Sequence, residues 1–187
     1  MPFGAATPFG IRGYWPMASP DQLTLVYGGD NPATMTDLYV ATRTSTADAF
    51  GNATRLDALS TPDLETAPYI VGSTLYFTRQ PVGLAKIVVA SWPGAEPIRE
   101  VDELMNTGEC CAVLSRDQRA MYFARGADIY YAQRSRVDDR FLPPLRVEEL
   151  ATAQADNPTD LSADQCRLYF ESDRTGTFDL YVAEREP

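Results

Sequence analysis

The chain copies itself. Leu161–Arg185 reads LSADQCRLYFESDRTGTFDLYVAER, Leu114–Arg134 reads LSRDQRAMYFARGADIYYAQR, and Ala18–Arg43 reads ASPDQLTLVYGGDNPATMTDLYVATR. A more divergent copy, GSTLYFTRQPVGLAKIVVASW, spans Gly72–Trp92. Phe77, Phe123 and Phe170 are spaced by 46 and 47 residues, and Ala41, Ala90, Ala132 and Ala183 by 49, 42 and 51. Four units of about 47 residues account for the whole chain, and that period falls in the range of propeller blades. A unit this short cannot bury both faces of its own sheet, so each copy has to bury them against the next.

Each unit resolves into strands. A short apolar stretch such as Cys111-Ala112-Val113-Leu114 is followed by an S-x-D-Q turn at Ser19–Gln22, Ser115–Gln118 and Ser162–Gln165. Serine and aspartate suit such a turn because their side chains bond nearby backbone amides. An aromatic strand comes next (Leu75-Tyr76-Phe77, Met121-Tyr122-Phe123, Leu168-Tyr169-Phe170), then a polar loop, then a third strand such as Leu38-Tyr39-Val40 or Leu180-Tyr181-Val182. A fourth segment carries [LV]-[DE]-x-L at Leu56–Leu59, Val101–Leu104 and Val147–Leu150. Short aromatic and β-branched runs bounded by turn residues indicate strands, and four antiparallel strands per repeat indicate an all-β propeller.

The expected fold is a single β-propeller domain of four blades, each of four antiparallel strands, with blades at 14–60, 61–107, 108–153 and 154–187 plus 1–12. The last unit stops at Pro187, directly after its third strand, while the N-terminus has surplus chain. Phe3-Gly4-Ala5-Ala6-Thr7 matches Phe50-Gly51-Asn52-Ala53-Thr54 in register. The N-terminal strand is therefore expected to close the last blade, pairing beside Leu180–Val182 and giving a monomeric ring. Pro2 and Pro8 are tolerable on an outermost edge strand. The rival arrangements are part of a larger ring and a pair of chains completing one.

Composition removes several classes of function. There is no histidine, which excludes Ser-His-Asp and Cys-His catalysis and His-based zinc and haem sites. A net charge of −10 repels nucleic-acid phosphates and anionic membranes. No apolar run is long enough for a membrane-spanning helix, and no signal peptide is visible in MPFGAATPFGIRGYWP. Three cysteines, Cys110, Cys111 and Cys166, make neither a disulfide framework nor a C-x-x-C motif. They read as small, partly buried thiols, with a Cys110–Cys111 bond as a strained alternative. No phosphate loop, EF-hand or G-x-S-x-G is present, and no cofactor, metal site or catalytic residue is expected.

The string SADQCRLYFESDRTGTFDLYVAER resembles the TolB-type, WD40-like propeller repeat, whose pattern is S-x-D-G, an aromatic strand, S-D-R-x-G, then D-[IL]-Y-V. Asp37–Thr61 also resembles bacterial surface and lipoprotein members of that class. The resemblance covers essentially the whole chain. Blade two departs most, with Lys86 in place of the aspartate before its third strand, and glutamine replaces glycine in the S-x-D-Q turns. The resemblance implies a propeller of an extracytoplasmic bacterial protein, periplasmic or at the cell surface, that binds something. It fixes no single activity, because propellers host enzymes, lectins and scaffolds alike.

In such folds the ligand face carries the loops entering the innermost strands and those joining second to third strands. The entry positions hold Tyr14-Trp15, Glu65, Glu109 and Asp156-Asn157, and the second-to-third loops begin at Arg79, Arg125 and Arg174 in blades two to four. Two readings of the acids compete: a carboxylate pair for glycoside hydrolysis or cation ligands, against structural partners of nearby amides. The arginines read either as a ring selecting an anionic group or as partners within their own blades. Tyr14 and Trp15 either stack on a sugar or peptide or cap the junction of blades one and four. The short Arg125-Gly126 loop leaves blade three lowest at the channel mouth. The leading expectation is a non-enzymatic module presenting that mouth to a protein, peptide or glycan. The alternatives are a carboxylate-dependent glycan hydrolase and a purely structural or oligomerisation module.

Overall fold

The structure is a computed structural model that describes residues 10–33, 35–93, 95–104 and 108–186. It is a four-bladed β-propeller. Blade one is β1 (Tyr14–Ala18), β2 (Thr24–Asn31), β3 (Met35–Thr42) and β4 (Thr54–Arg55). Blade two is β5 (Leu64–Val71), β6 (Thr74–Gln80), β7 (Lys86–Ser91) and β8 (Ala95–Glu100). Blade three is β9 (Glu109–Leu114), β10 (Ala120–Arg125), β11 (Asp128–Gln133) and β12 (Leu145–Arg146). Blade four has β13 (Asp156–Leu161), β14 (Arg167–Ser172) and β15 (Asp179–Glu184). Every sheet is a meander in chain order, and all its pairs are antiparallel. The expected outer strand from residues 3–9 lies outside the described residues.

The S-x-D-Q turns form as their residue types dictate. In blade three Ser115 Oγ donates to Asp117 Oδ1 at 2.6 Å, and the amides of Arg119 and Ala120 donate to Asp117 and Ser115 at 3.1 and 3.0 Å. Blade four repeats this at Ser162 and Asp164. Gln22, Gln118 and Gln165 stand at φ 61°, 57° and 60°, the left-handed region that glycine occupies without cost. The strained turn carbonyls are used. Arg43, Arg134 and Arg185, each one residue past its third strand, donate Nε to the carbonyls of Gln22, Gln118 and Gln165, all at 2.8 Å.

Two expectations need adjusting. The [LV]-[DE]-x-L motif is a turn rather than a strand: Leu59, Leu104 and Leu150 amides donate to the carbonyls of Leu56, Val101 and Val147. The outer strands β4, β8 and β12 lie just before it. Gly28–Thr36, which the repeat places as the second-to-third loop of blade one, is also mostly strand, because β2 and β3 stay paired from Thr24↔Thr42 to Asn31↔Met35.

Burial follows the two faces of each blade. Ile87 joins the core shared with blade three, whereas its neighbour Val88 joins the core shared with blade one. Alternation along the strand thus sends successive side chains to opposite seams. Val26, Leu38, Leu59, Leu75 and Phe77 fill the first seam. A continuous cluster including Tyr76, Leu104, Phe123, Ile129, Leu168 and Phe170 fills the second and third. Among the described residues, Met17 is the one blade-one side chain packed against the cluster that reaches blade four, and Leu180 and Val182 belong to neither cluster.

Candidate binding site at the axial cavity

The acids and arginines singled out from the sequence meet in pairs, one pair per blade. Arg79 Nε donates to Glu65 at 3.0 Å, Arg125 Nε to Glu109 at 3.0 Å, and Arg174 Nη2 to Asp156 at 2.7 Å. Each arginine also reaches the closing turn of the preceding blade, donating to the carbonyls of Leu59, Leu104 and Leu150 at 2.7, 2.5 and 3.4 Å. The pairs are therefore staples between consecutive blades. The arginine planes lie over ring pairs beneath, Arg125 over Phe123 and Tyr130 and Arg174 over Phe170 and Tyr181. The three carboxylates are buried. Burial pushes the Glu65 carboxyl above its ordinary range, opposed by its bonds from Thr61 and Arg79. Among the described residues, no group of three or more potential ligand side chains is arranged to hold a metal ion.

Among the described residues, blade one has no such staple. Opposite Tyr14↔Gly28, Gly13 and Gly29 occupy the positions that Glu65 and Arg79 hold opposite Thr66↔Thr78. A Cβ on Gly13 would sit 2.2 Å from Cδ2 of Tyr27, so the glycine is required by the ring that fills the place of the ion pair. Tyr27 in turn stacks on Tyr39, centroids 5.9 Å apart.

The innermost strands β1, β5, β9 and β13 surround an axial cavity of about 510 Å³. Its wall includes Tyr14, Trp15, Pro16, Met17, Pro68, Tyr69, Val113, Asn157, Pro158 and Glu171. Tyr14 and Trp15 are 50% and 46% exposed, with rings 5.7 Å apart and tilted by 52°. Asn157 Nδ2 donates to Glu171 at 3.1 Å. Tyr69 donates its hydroxyl to the Leu114 carbonyl at 3.1 Å, and burial raises its pKa well above the usual phenol value. At the rim, the β10–β11 hairpin turns through Gly126 and Ala127 alone, shorter than the β6–β7 and β14–β15 connections.

Sequence reasoning found Tyr14, Trp15 and Asn157 on this wall and missed most of the rest. The cause is a bulge repeated in every inner strand. Trp15, Ala67 and Cys111 occupy it in blades one to three with φ of 49°, 48° and 59°. A bulge re-aims side chains and bends the strand, which shapes the cavity wall. Unrelated residues hold the left-handed position, and although Pro16, Pro68 and Pro158 lie in or beside the bulge, blade three has none there, so the sequence marks it only in part.

No protein-family model matches the sequence, and no curated protein matches it. Among solved structures, TolB from Acinetobacter baumannii superposes with a TM-score of 0.60 at 16% identity, covering 89% of this chain and 40% of that one. A putative TolB from Agrobacterium tumefaciens gives 0.60 at 18% identity, covering 92% and 57%. An α-L-arabinofuranosidase from Podospora anserina gives 0.53 at 14%, covering 88% and 61%. The fold is a TolB-like β-propeller. The chain spans about half the length of the two TolB structures, and the likeness at this identity is one of fold.

Proposed function

We propose that the chain is a non-enzymatic binding module that takes an extended polypeptide segment of a partner protein at the mouth of the axial cavity. One observation carries this reading: the exposed Tyr14–Trp15 pair sits on a cavity bounded by all four inner strands, while the rim charges are bound to one another. Aromatic and proline surfaces offer contact at low entropic cost, and Asn157 and Glu171 supply hydrogen-bonding groups. The Glu171 carboxylate and the net charge of −10 favour an apolar segment carrying positive charge. In this reading Tyr14, Trp15 and Asn157 touch the ligand, and Glu65, Arg79, Glu109, Arg125, Asp156 and Arg174 hold the rim that presents them. On the same reading the chain works as a monomer in an extracytoplasmic bacterial compartment, as the repeat's resemblance implies, without membrane insertion, and its net charge of −10 disfavours nucleic acid.

The test is titration of lysine- and proline-containing peptides against wild type and Trp15→Ala. Truncating an aromatic anchor at a hot spot costs about 2 kcal/mol or more, so affinity should fall more than tenfold with the fold intact. Full affinity in Trp15→Ala would remove the site from this cavity. The arabinofuranosidase likeness favours one competing reading, a carboxylate-dependent glycan hydrolase. Turnover of a glycan that Glu109→Gln abolishes without unfolding would establish it in place of ours.

A further inference from the structure

Cys110 and Cys111 are consecutive in β9, and in a regular strand consecutive side chains point to opposite faces. Their sulfurs should then be far apart. Instead Cys110 Sγ and Cys111 Sγ lie 3.0 Å from each other. The inner-strand bulge is responsible: at φ 59° Cys111 breaks the alternation and swings its side chain to the same side as that of Cys110. The Cys111 amide, turned out of the blade-three ladder, donates to Thr78 Oγ1 at 3.1 Å, which ties the bulge to blade two. Trp15 and Ala67 take the same backbone conformation in blades one and two, so the geometry belongs to the repeat. Both thiols are free and partly accessible, and Cys111 lines the axial cavity.

We propose that Cys110 and Cys111 form a redox-active vicinal dithiol at the cavity, Cys111 in its wall and Cys110 directly beside it, oxidised by small neutral or cationic disulfides to an intramolecular disulfide. The cavity is large enough to admit such a molecule. The charge preference follows from Glu171 on the same wall and the net charge of −10, which repel anionic disulfides, while Glu109 beside the pair is balanced by Arg125. The division of labour follows from the contact. The Cys111 S–H donates to Cys110, holding the Cys110 thiol below its ordinary range against burial and the two carboxylates, while Cys111 is pushed up. Cys110 is therefore the attacking thiolate and Cys111 the resolving thiol.

The reaction balances in two exchanges. Cys110 thiolate attacks one sulfur of the small disulfide, forming a mixed disulfide and expelling a thiolate, which takes up a proton. Cys111 then loses its proton and attacks Cys110 Sγ, breaking the mixed disulfide and releasing the second small thiol. The protein gives up two electrons and two protons, and one disulfide becomes two thiols. The inference is independent of what the cavity binds.

The experiment uses the reduced full chain, cystamine as oxidant, N-ethylmaleimide to trap remaining thiols, and tryptic mass spectrometry. The fragment Glu100–Arg116 holds both cysteines and excludes Cys166. Expected is a fragment lighter by two hydrogens and free of maleimide, restored by dithiothreitol. Cys111→Ser should accumulate a cysteamine adduct on Cys110, and Cys110→Ser should react about tenfold more slowly than wild type. At low salt cystamine should outpace oxidised glutathione about tenfold, with the gap narrowing as salt rises. Two maleimides on the wild-type fragment after cystamine, or a persistent mixed disulfide in wild type, would overturn the dithiol. Oxidised glutathione reacting as fast as cystamine at low salt would overturn the charge preference.

Discussion

Ile129 of blade three is 1% exposed, and Leu180, at the same place in blade four, is 82% exposed. The two residues sit on strands of equal length and follow an aspartate in both cases, and each third strand pairs with an aromatic second strand, although the connecting loop is longer in blade four. The difference lies in the neighbour. Ile129 meets blade four, whereas Leu180 and Val182 face the junction with blade one, where no core of described residues has formed. The polar contacts divide the same way. Arg134 donates to Tyr76 across the second seam at 3.1 Å, and Arg185 approaches Tyr122 across the third at 3.5 Å. Their counterpart Tyr169 is 40% exposed. On the other side of that junction, Gly13 and Tyr27 replace the carboxylate–arginine staple that opens each of the other blades. A repeat thus writes the same adhesive face into every copy, and among the described residues the face is covered where the next blade carries the complementary devices.

The largest expected effect removes a staple from a filled seam. Arg125→Ala leaves Glu109 buried without its arginine and should cost about 3–5 kcal/mol in urea unfolding, as for other broken buried pairs. Arg167→Ala at the solvent-exposed Arg167–Glu184 pair should cost less than about 1 kcal/mol. Equal costs would mean that the staples do not distinguish seam from surface.

Next in size is the comparison that motivates the rest. Ile129→Ala should destabilise by about 2–4 kcal/mol, in line with buried aliphatic truncations, and Leu180→Ala should stay within about 0.5 kcal/mol. A large cost at Leu180 would show that another surface covers blade four in solution. Smaller again, Tyr76→Phe strips the partner from one nitrogen of the buried Arg134 and should cost about 1–2 kcal/mol, while Tyr169→Phe should be neutral.

The smallest effect probes what blades share whatever their seam. The Ser115 hydroxyl is the main cause that holds Asp117 down to about 2 from an unfolded value of 3.8, with the Arg119 amide and guanidinium assisting. A depressed carboxyl contributes stability that is complete above 3.8 and lost as pH falls through about 2. Asp21 and Asp164 are depressed by the same serine bond in blades one and four. Ser115→Ala should raise the Asp117 carboxyl in an NMR titration and flatten that acid loss. Glu65 works in the opposite sense: raised by burial, its protonated form favours the fold, and that contribution is lost as pH rises above the unfolded value of 4.5. Asp164 has Cys166 where Asp117 has Arg119, so a smaller depression is expected there, and no depression at all would mean that the junction alters even the turns.

Much of this was legible in the residues. The spacing of Phe77, Phe123 and Phe170 located the blades, and Ser115, Asp117 and their counterparts located the turns, because both depend on local chemistry repeated at fixed intervals. The pairing of Glu65, Glu109 and Asp156 with Arg79, Arg125 and Arg174 was only half legible. Their equivalence showed in the repeat, but each arginine's second bond runs to the closing turn of the preceding blade, a contact about twenty residues away in sequence that no local pattern announces. The cavity wall was least legible. Trp15, Ala67 and Cys111 share a backbone conformation and no chemistry, so the bulge that aims them is hidden behind three different letters.

The sequence by itself determined the blade: its period, its strands, its serine–aspartate turns and the apolar residues on its two faces, all consequences of side-chain type and order within about 47 residues. Only the tertiary structure decided which of those faces are covered. Leu38, Ile87, Ile129 and Leu180 carry nearly the same side chain in the same strand, and three are buried because a neighbouring blade lies within contact distance. Burial is a property of the pair of surfaces, and a residue's own identity specifies only one of them.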